Sequence, residues 1–135
     1  LQQVQSSMEV KGGLIATANI SDSKVLTVTF TLANVLSGQP VDLTTDDDAV
    51  VIIEYRDATQ RMAITNWEVA WLGATNNNNL LETGEMAEIS VPIDGNGITL
   101  GPNVSFVIEV KPPTGAVLNL QRTTPAWLEA VNDLQ

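Results

Sequence analysis

The chain contains no histidine and no cysteine. Without histidine, the commonest general base and the commonest transition-metal ligand are both missing, so Ser-His-Asp and Cys-His catalysis are excluded. Without cysteine there is no disulfide framework, no thiolate nucleophile and no zinc–thiolate site. Aromatic residues are scarce as well: three Trp, one Tyr and two Phe. Cations are scarcer than acids, six Lys and Arg against sixteen Asp and Glu, for a formal charge of −10 and a pI near 4.1. Such a chain repels phosphates, which argues against nucleic acid or an anionic membrane surface as partner. Packed copies also repel one another unless salt or divalent cations screen them, although the same acidity serves equally well to keep a domain soluble. No apolar run approaches the roughly 18 residues needed to span a bilayer, and no signal-peptide hydrophobic region is present.

What is present describes one folded domain. The 135 residues are 44% apolar and 16% charged, a globular balance in a length typical of one domain. Val, Ile, Leu and Thr dominate, which favours strands. In "KVLTVTFTLANV", Leu26, Val28, Phe30 and Leu32 alternate with Thr27, Thr29 and Thr31, the pattern of a strand with one buried face. "AVVIIEY" (49–55) is a continuous apolar run that predicts a strand buried on both sides. Trp67, Val69 and Trp71 share one face of the next segment, and Ala87, Ile89 and Val91 one face of another. "DGNG" (94–97) and "GPN" are turn signals. "VSFVIEVK", "PPTG" and "AVLNLQR" make a terminal hairpin that turns at Pro113 and Gly115. The tail "TTPAWLEAVNDL" carries a helix-start signal, with Thr124 as N-cap and Pro125 at the first helical position; an exposed extension is the alternative. Roughly seven to nine mostly antiparallel strands, with frequent turn signals, predict an all-β sandwich or barrel of immunoglobulin type. A short helical turn is expected at its C-terminus.

The chemistry-bearing clusters are few. Loop 75–85, "TNNNNLLETGE", concentrates oxygen donors. Asn77, Asn79, Glu82 and Glu85 are its candidate ligands for a structural divalent cation, Ca²⁺ or Mg²⁺, since such ions take oxygen ligands; a solvated polar hairpin is the alternative. The run Asp46–Asp48 reads as a solvated edge that blocks aggregation. The carboxylate pairs Glu82 with Glu85, and Glu54 with Asp57, resemble a glycosidase arrangement only in spacing, and no group of suitable pKa accompanies them. Catalytic residues are therefore assigned to none, and an enzyme and a catalytic cofactor are not expected. Two N-x-S/T sequons, at Asn19 and Asn103, are candidate glycosylation sites. Trp67 and Trp71 read as core, whereas Trp127, in the tail, docks either on its own domain or on a neighbour.

Several stretches taken in order resemble archaellins, the archaeal flagellins. "FVIEVKPPTGAVLNLQRTTPA" is similar to the family's strand, Pro-Thr-Gly turn, second strand and "RTTPA" ending. "SGQPVDLTTDDDAVVIIEY" resembles its Pro-(Ile/Val)-Asp-Leu stretch, "NNNNLLETGEMAEISV" its Leu-Leu-Glu-x-Gly-Glu stretch, and "LQQVQSS" the exit from its N-terminal helix. The resemblance implies an extracellular structural subunit of the archaellum, the swimming filament, with the β domain in the outer sheath and other archaellin copies as partners. It also implies a type IV pilin-like N-terminal helix, with residues 1–10 its remnant or linker and 11–135 a single head domain. The opening residue is not an initiator Met, which suggests a processed or trimmed chain, and the head without its helix is expected to be a monomer. The resemblance implies N-glycosylation, strengthening Asn19 and Asn103, and a divalent-cation site, carried here onto loop 75–85, where asparagines stand at matching positions. Two other readings remain: a periplasmic stator of the archaellum that binds the surface layer, and an extracellular carbohydrate-binding or adhesion module.

Overall fold

Alternating apolar side chains build two sheets. The computed structural model describes residues 8–35, 39–73 and 78–135. In chain order the strands are β1 (Met8–Asn19), β2 (Lys24–Asn34), β3 (Val41–Asp42), β4 (Ile52–Asp57), β5 (Arg61–Ile64), β6 (Glu68–Leu72), β7 (Leu80–Leu81), β8 (Met86–Pro92), β9 (Ser105–Lys111), β10 (Leu118–Thr123) and β11 (Val131–Asp133). A five-stranded sheet has the order β11-β1-β2-β8-β6, a four-stranded sheet the order β10-β9-β4-β5, and β3 with β7 form a small ribbon. The paired strands are antiparallel. Both large sheets contribute to one core, Val28, Phe30 and Ile89 from the first and Ile53, Tyr55 and Ile108 from the second, so the architecture is the expected all-β sandwich. Within it the Tyr55 and Phe106 rings stack with centroids 5.9 Å apart, an arrangement that adds to their burial. The strand count exceeds the expected one because β3, β7 and β11 are only two or three residues long.

Four local expectations are corrected. Leu26 does not share the buried face of β2. Thr17 pairs with Thr27 but Ala18 pairs with Val25, so Leu26 is the extra residue of a bulge, 38% exposed, and Val25 takes its place in the core. The apolar run before Tyr55 is buried on one side only: Val51 and Ile53 are buried, whereas Val50 and Ile52 are exposed. β1 begins at Met8, inside the segment expected as linker, and Met8 is itself buried; residues 1–7 lie outside the described residues.

The tail forms no helical turn. Thr124 is buried, and its hydroxyl donates to the Gly101 carbonyl at 2.7 Å while accepting from the Val104 N–H at 2.9 Å. The hydroxyl is thus committed to a turn far away in the chain and does not cap a helix. The Thr124 N–H extends the hairpin ladder to the Val104 carbonyl. The chain then reaches β11 and adds an antiparallel edge to β1, pairing Val131 with Thr17 and Asp133 with Ile15. The single short helical element among the described residues is a 3₁₀ turn at Asp94–Asn96, closed by Gly97 at φ 78°.

Candidate assembly surface

The features with functional content that the described residues present are surfaces. The first is the outward face of β10-β9-β4-β5. Because Ile53, Tyr55, Phe106, Ile108 and Val110 turn inward, alternation sends Ile52, Glu54, Arg56, Glu109 and Lys111 outward. The register places Glu54 opposite Glu109, and in the next row Arg56 opposite Arg61. Like charges directly opposed are destabilising, and the sheet resolves this by pairing diagonally. Glu54 takes a hydrogen bond from Lys111 and an ion pair from Arg61 at 3.7 Å, while Arg56 Nε lies 3.5 Å from Glu109. The Lys111 hydrogen bond holds the Glu54 carboxyl below its usual range against the opposing effect of desolvation, with Arg61 adding to the lowering. Exposed Ile52, Val50 and Val117 are the large apolar side chains toward the Lys111 end of these strands.

The balance of charge on these four strands differs from that of the rest of the chain. They hold four of the six cations, Arg56, Arg61, Lys111 and Arg122, but only three of the sixteen acids, Glu54, Asp57 and Glu109. The remainder has two cations, Lys11 and Lys24, against thirteen acids. No single motif announces this surface. The signal lay in the outward parity of Glu54, Arg56, Glu109 and Lys111 and in the concentration of cations on two hairpins, which the sequence reading did not use.

The second surface is the tail between β10 and β11. The Pro125 carbonyl accepts from the Asn103 N–H at 3.0 Å and the Ala130 carbonyl from the Ala18 N–H at 3.0 Å. Asn132, buried, donates to the Ala16 and Glu129 carbonyls and accepts from the Glu129 N–H. Between these ties Trp127 stands 86% exposed, with Glu129 and Val131 also exposed. Trp67 is buried and Trp71 packs on the core, as their alternation implies.

Of the cation candidates, Asn77 lies outside the described residues. Asn79, at φ 59°, gives its carbonyl to the Leu43 N–H at 2.8 Å and so ties the loop to β3. Glu85 is buried and accepts from the Glu82 N–H at 2.9 Å, while Glu82 accepts from Asn78 at 3.1 Å. Glu82 and Glu85 thus close one turn, and no group of three or more Asp or Glu suited to a metal occurs among the described residues. Glu54 and Asp57 do not come together: Glu54 joins the outward lattice, and Asp57 accepts from the Tyr55 hydroxyl at 2.6 Å and from the Thr59 and Gln60 amides. Desolvation raises the Asp57 pKa, but those hydrogen bonds outweigh it and leave the group below its usual range. The Tyr55 hydroxyl is pushed well above its ordinary value, first by burial and then by Asp57. Asn19 ends β1, and Asn103 sits in a turn. Asn19 Oδ1 accepts from the Ser21 N–H at 3.0 Å and from Asp22, whereas Asn103 is exposed at φ 57°.

No family model matches the chain. Probable flagellin 1 of Archaeoglobus fulgidus is 31% identical over 145 residues, covering 97% of this chain and 71% of that protein. Among solved structures, the archaeal flagellin FlaB1 of Methanocaldococcus jannaschii superposes with a TM-score of 0.79 at 12% identity, over 95% of this chain and 96% of that one. The archaeal flagellum of Methanospirillum hungatei strain JF1 gives 0.75 at 18% identity, over 96% and 72%. The periplasmic stator complex FlaF and FlaG of Sulfolobus acidocaldarius gives 0.58 at 14%, over 89% and 91%. At these identities the solved structures speak to the fold alone.

Proposed function

The chain belongs to the archaeal flagellin family, and from that membership we propose that it is a structural subunit of the archaellum, with this β-sandwich in the outer sheath of a helical polymer of like copies. The observation that carries the reading is the 31% identity extending over 97% of the chain. The fold agrees with it, since the flagellin and the filament superpose better than the stator complex does. The role is non-catalytic: Glu54 is neutralised by Lys111 and Arg61 and Asp57 is bound to its own turn, so neither is held ready for acid–base work. The filament reading places the domain outside the cell. Removed from the polymer, the head is a monomer, because at −10 its copies repel through most of their surfaces.

The stator reading stays in play through the shared sandwich, and one experiment separates the two. Antibody raised against this domain, followed by gold labelling and electron microscopy of native cells, should decorate external filaments along their whole length. Label confined to the envelope or the filament base would discard the subunit reading in favour of the stator.

A further inference from the structure

If the filament reading holds, on which this inference rests, copies that each carry −10 must be brought side by side. We propose that the head domains touch heterologously, the C-terminal tail bearing Trp127 of one copy lying on the outward face of β10-β9-β4-β5 of the next, near Ile52 and Lys111. The occupant of that face is a second copy of this chain. Three observations lead there.

The first is charge. Tail against tail would bring two acidic patches together, since Glu129 and Asp133 are exposed and residues 124–135 hold no cation, and sheet against sheet would bring together two faces that each hold cations in excess. Tail against sheet opposes unlike signs, because the outward face of the four-stranded sheet holds three cations, Arg56, Arg61 and Lys111, against two acids, Glu54 and Glu109. Complementary potentials of this kind fix partner and register and suppress wrong pairings.

The second is preorganisation. Trp127 is 86% exposed, yet the chain around it is tied at Pro125, Ala130 and Asn132. A Trp held out on an ordered segment loses little freedom on docking, and Trp is the residue type most often central to a contact. Exposed Ile52 and Val117 offer it apolar surface, and Arg61, its side chain 66% exposed, offers a guanidinium that can lie over an indole face.

The third is geometry. The tail leaves β10 at its Thr123 end, beside Ser105, and runs to the edge of the five-stranded sheet, whereas the receiving patch lies at the opposite, Lys111 end of β9 and β4, so the two patches do not overlap and every copy can give and receive at once. A contact of this type does not close on itself as a two-fold contact does, and it generates rings or helical filaments.

Trp127→Cys puts a single thiol into a chain that has none. Assembled into filaments and carrying a thiol-linked photo-crosslinker, it should yield dimers whose adducts map to residues 50–64 or 105–121 of the second copy. Adducts confined to the same chain, to a glycan on Asn103, or to β1, β2, β6 or β8 of a neighbour would overturn the contact. As a second arm, Arg61→Glu should speed filament dissociation on the order of tenfold, and Glu129→Lys in the same copies should restore it, in heads that melt like the parent. Loss without restoration overturns the contact too. Absence of the unaltered protein, as native cells produce it, from their filaments would instead sink the filament reading, which keeps the two failures distinguishable.

Discussion

At the scale of single residues, the buried polar side chains among the described residues act as fasteners for segments that the apolar core does not hold. Asn34 donates to the Gln39 and Leu81 carbonyls at 2.7 and 2.8 Å, binding the loops around β3 and β7 to β2. Asn132 does the same for the tail, where its amide meets Ala16 and both backbone groups of Glu129. Asn132→Leu keeps the volume and removes those bonds, leaving the Glu129 N–H and two carbonyls to find other partners. It should cost about 1–3 kcal/mol and lower Tm by several degrees, read by differential scanning calorimetry. Asp57 sets a pH dependence. Its pKa is below the usual carboxylate value in the folded state, so the stability it contributes is complete above its unfolded pKa of about 3.9 and is lost as pH falls through the lower folded value. Asp57→Asn should therefore be less stable than the parent at pH 7 and approach it below about pH 3, a convergence that denaturant melts across pH will show. The sequons differ in a way that mass spectrometry of filament glycopeptides can check. Asn19 is folded back on Ser21 and Asp22, while Asn103 projects from an exposed turn. Asn103 is the site expected to carry more glycan, and predominance of Asn19 would contradict that ordering.

At the scale of elements, the tail strand depends on glycine. Between Lys11 and Ile15 the β1–β2 register shifts, Gly12 adopts φ 77°, and Gly13 has Asp133 Oδ1 and the Gln135 Cα within 2.8 and 3.3 Å of where a Cβ would stand. Gly13→Val would push against the backbone that follows β11, not merely against a mobile side-chain end. Hydrogen exchange at the Leu134 N–H, which bonds to the Leu14 carbonyl at 2.8 Å, should accelerate at least tenfold, while the amides of β2 and β8 keep their protection; unchanged exchange at Leu134 would show that the tail yields without strain. The same elements mark what could be read from the sequence. β8, β9 and β10 were legible because their period-2 pattern coincides with one buried face. The exposure of Ile52 was not, since a continuous apolar run has no period from which to infer a solvent face. Leu26 was misassigned because a bulge moves the alternation by one residue without leaving a glycine or proline as a sign. Thr124-Pro125 carries a sound local helix signal that lost to hydrogen bonds with Gly101 and Val104, and distant partners of that kind are invisible in a local window. The ion-pair lattice shared the same difficulty: the outward parity of each strand could be read, but that Glu54 meets Lys111 depends on a register between distant strands.

At the scale of the molecule, charge decides how copies meet. Each domain carries −10 at pH 7, and with a screening length near 8 Å at physiological salt the repulsion between heads acts over the distances of close approach. Attraction is then local and arises only where particular faces are matched, which suits an ordered polymer better than indiscriminate aggregation. Lowering the pH removes the repulsion before it removes the fold. Free carboxylates have pKa values near about 4, whereas Glu54 and Asp57, both with lowered pKa values, stay ionised below that range. The sheet lattice and the Asp57 turn therefore persist while the acidic surface discharges around them. Near the sequence pI of 4.1 the isolated domain should change from a dispersed monomer to a reversible associate. Light scattering should rise as pH approaches that value and fall again on return to pH 7, with the melt still cooperative at the scattering maximum. Scattering that stays flat through pH 4 would show that long-range repulsion is not what keeps the heads apart, and the burden would pass to the shape of the matched faces alone.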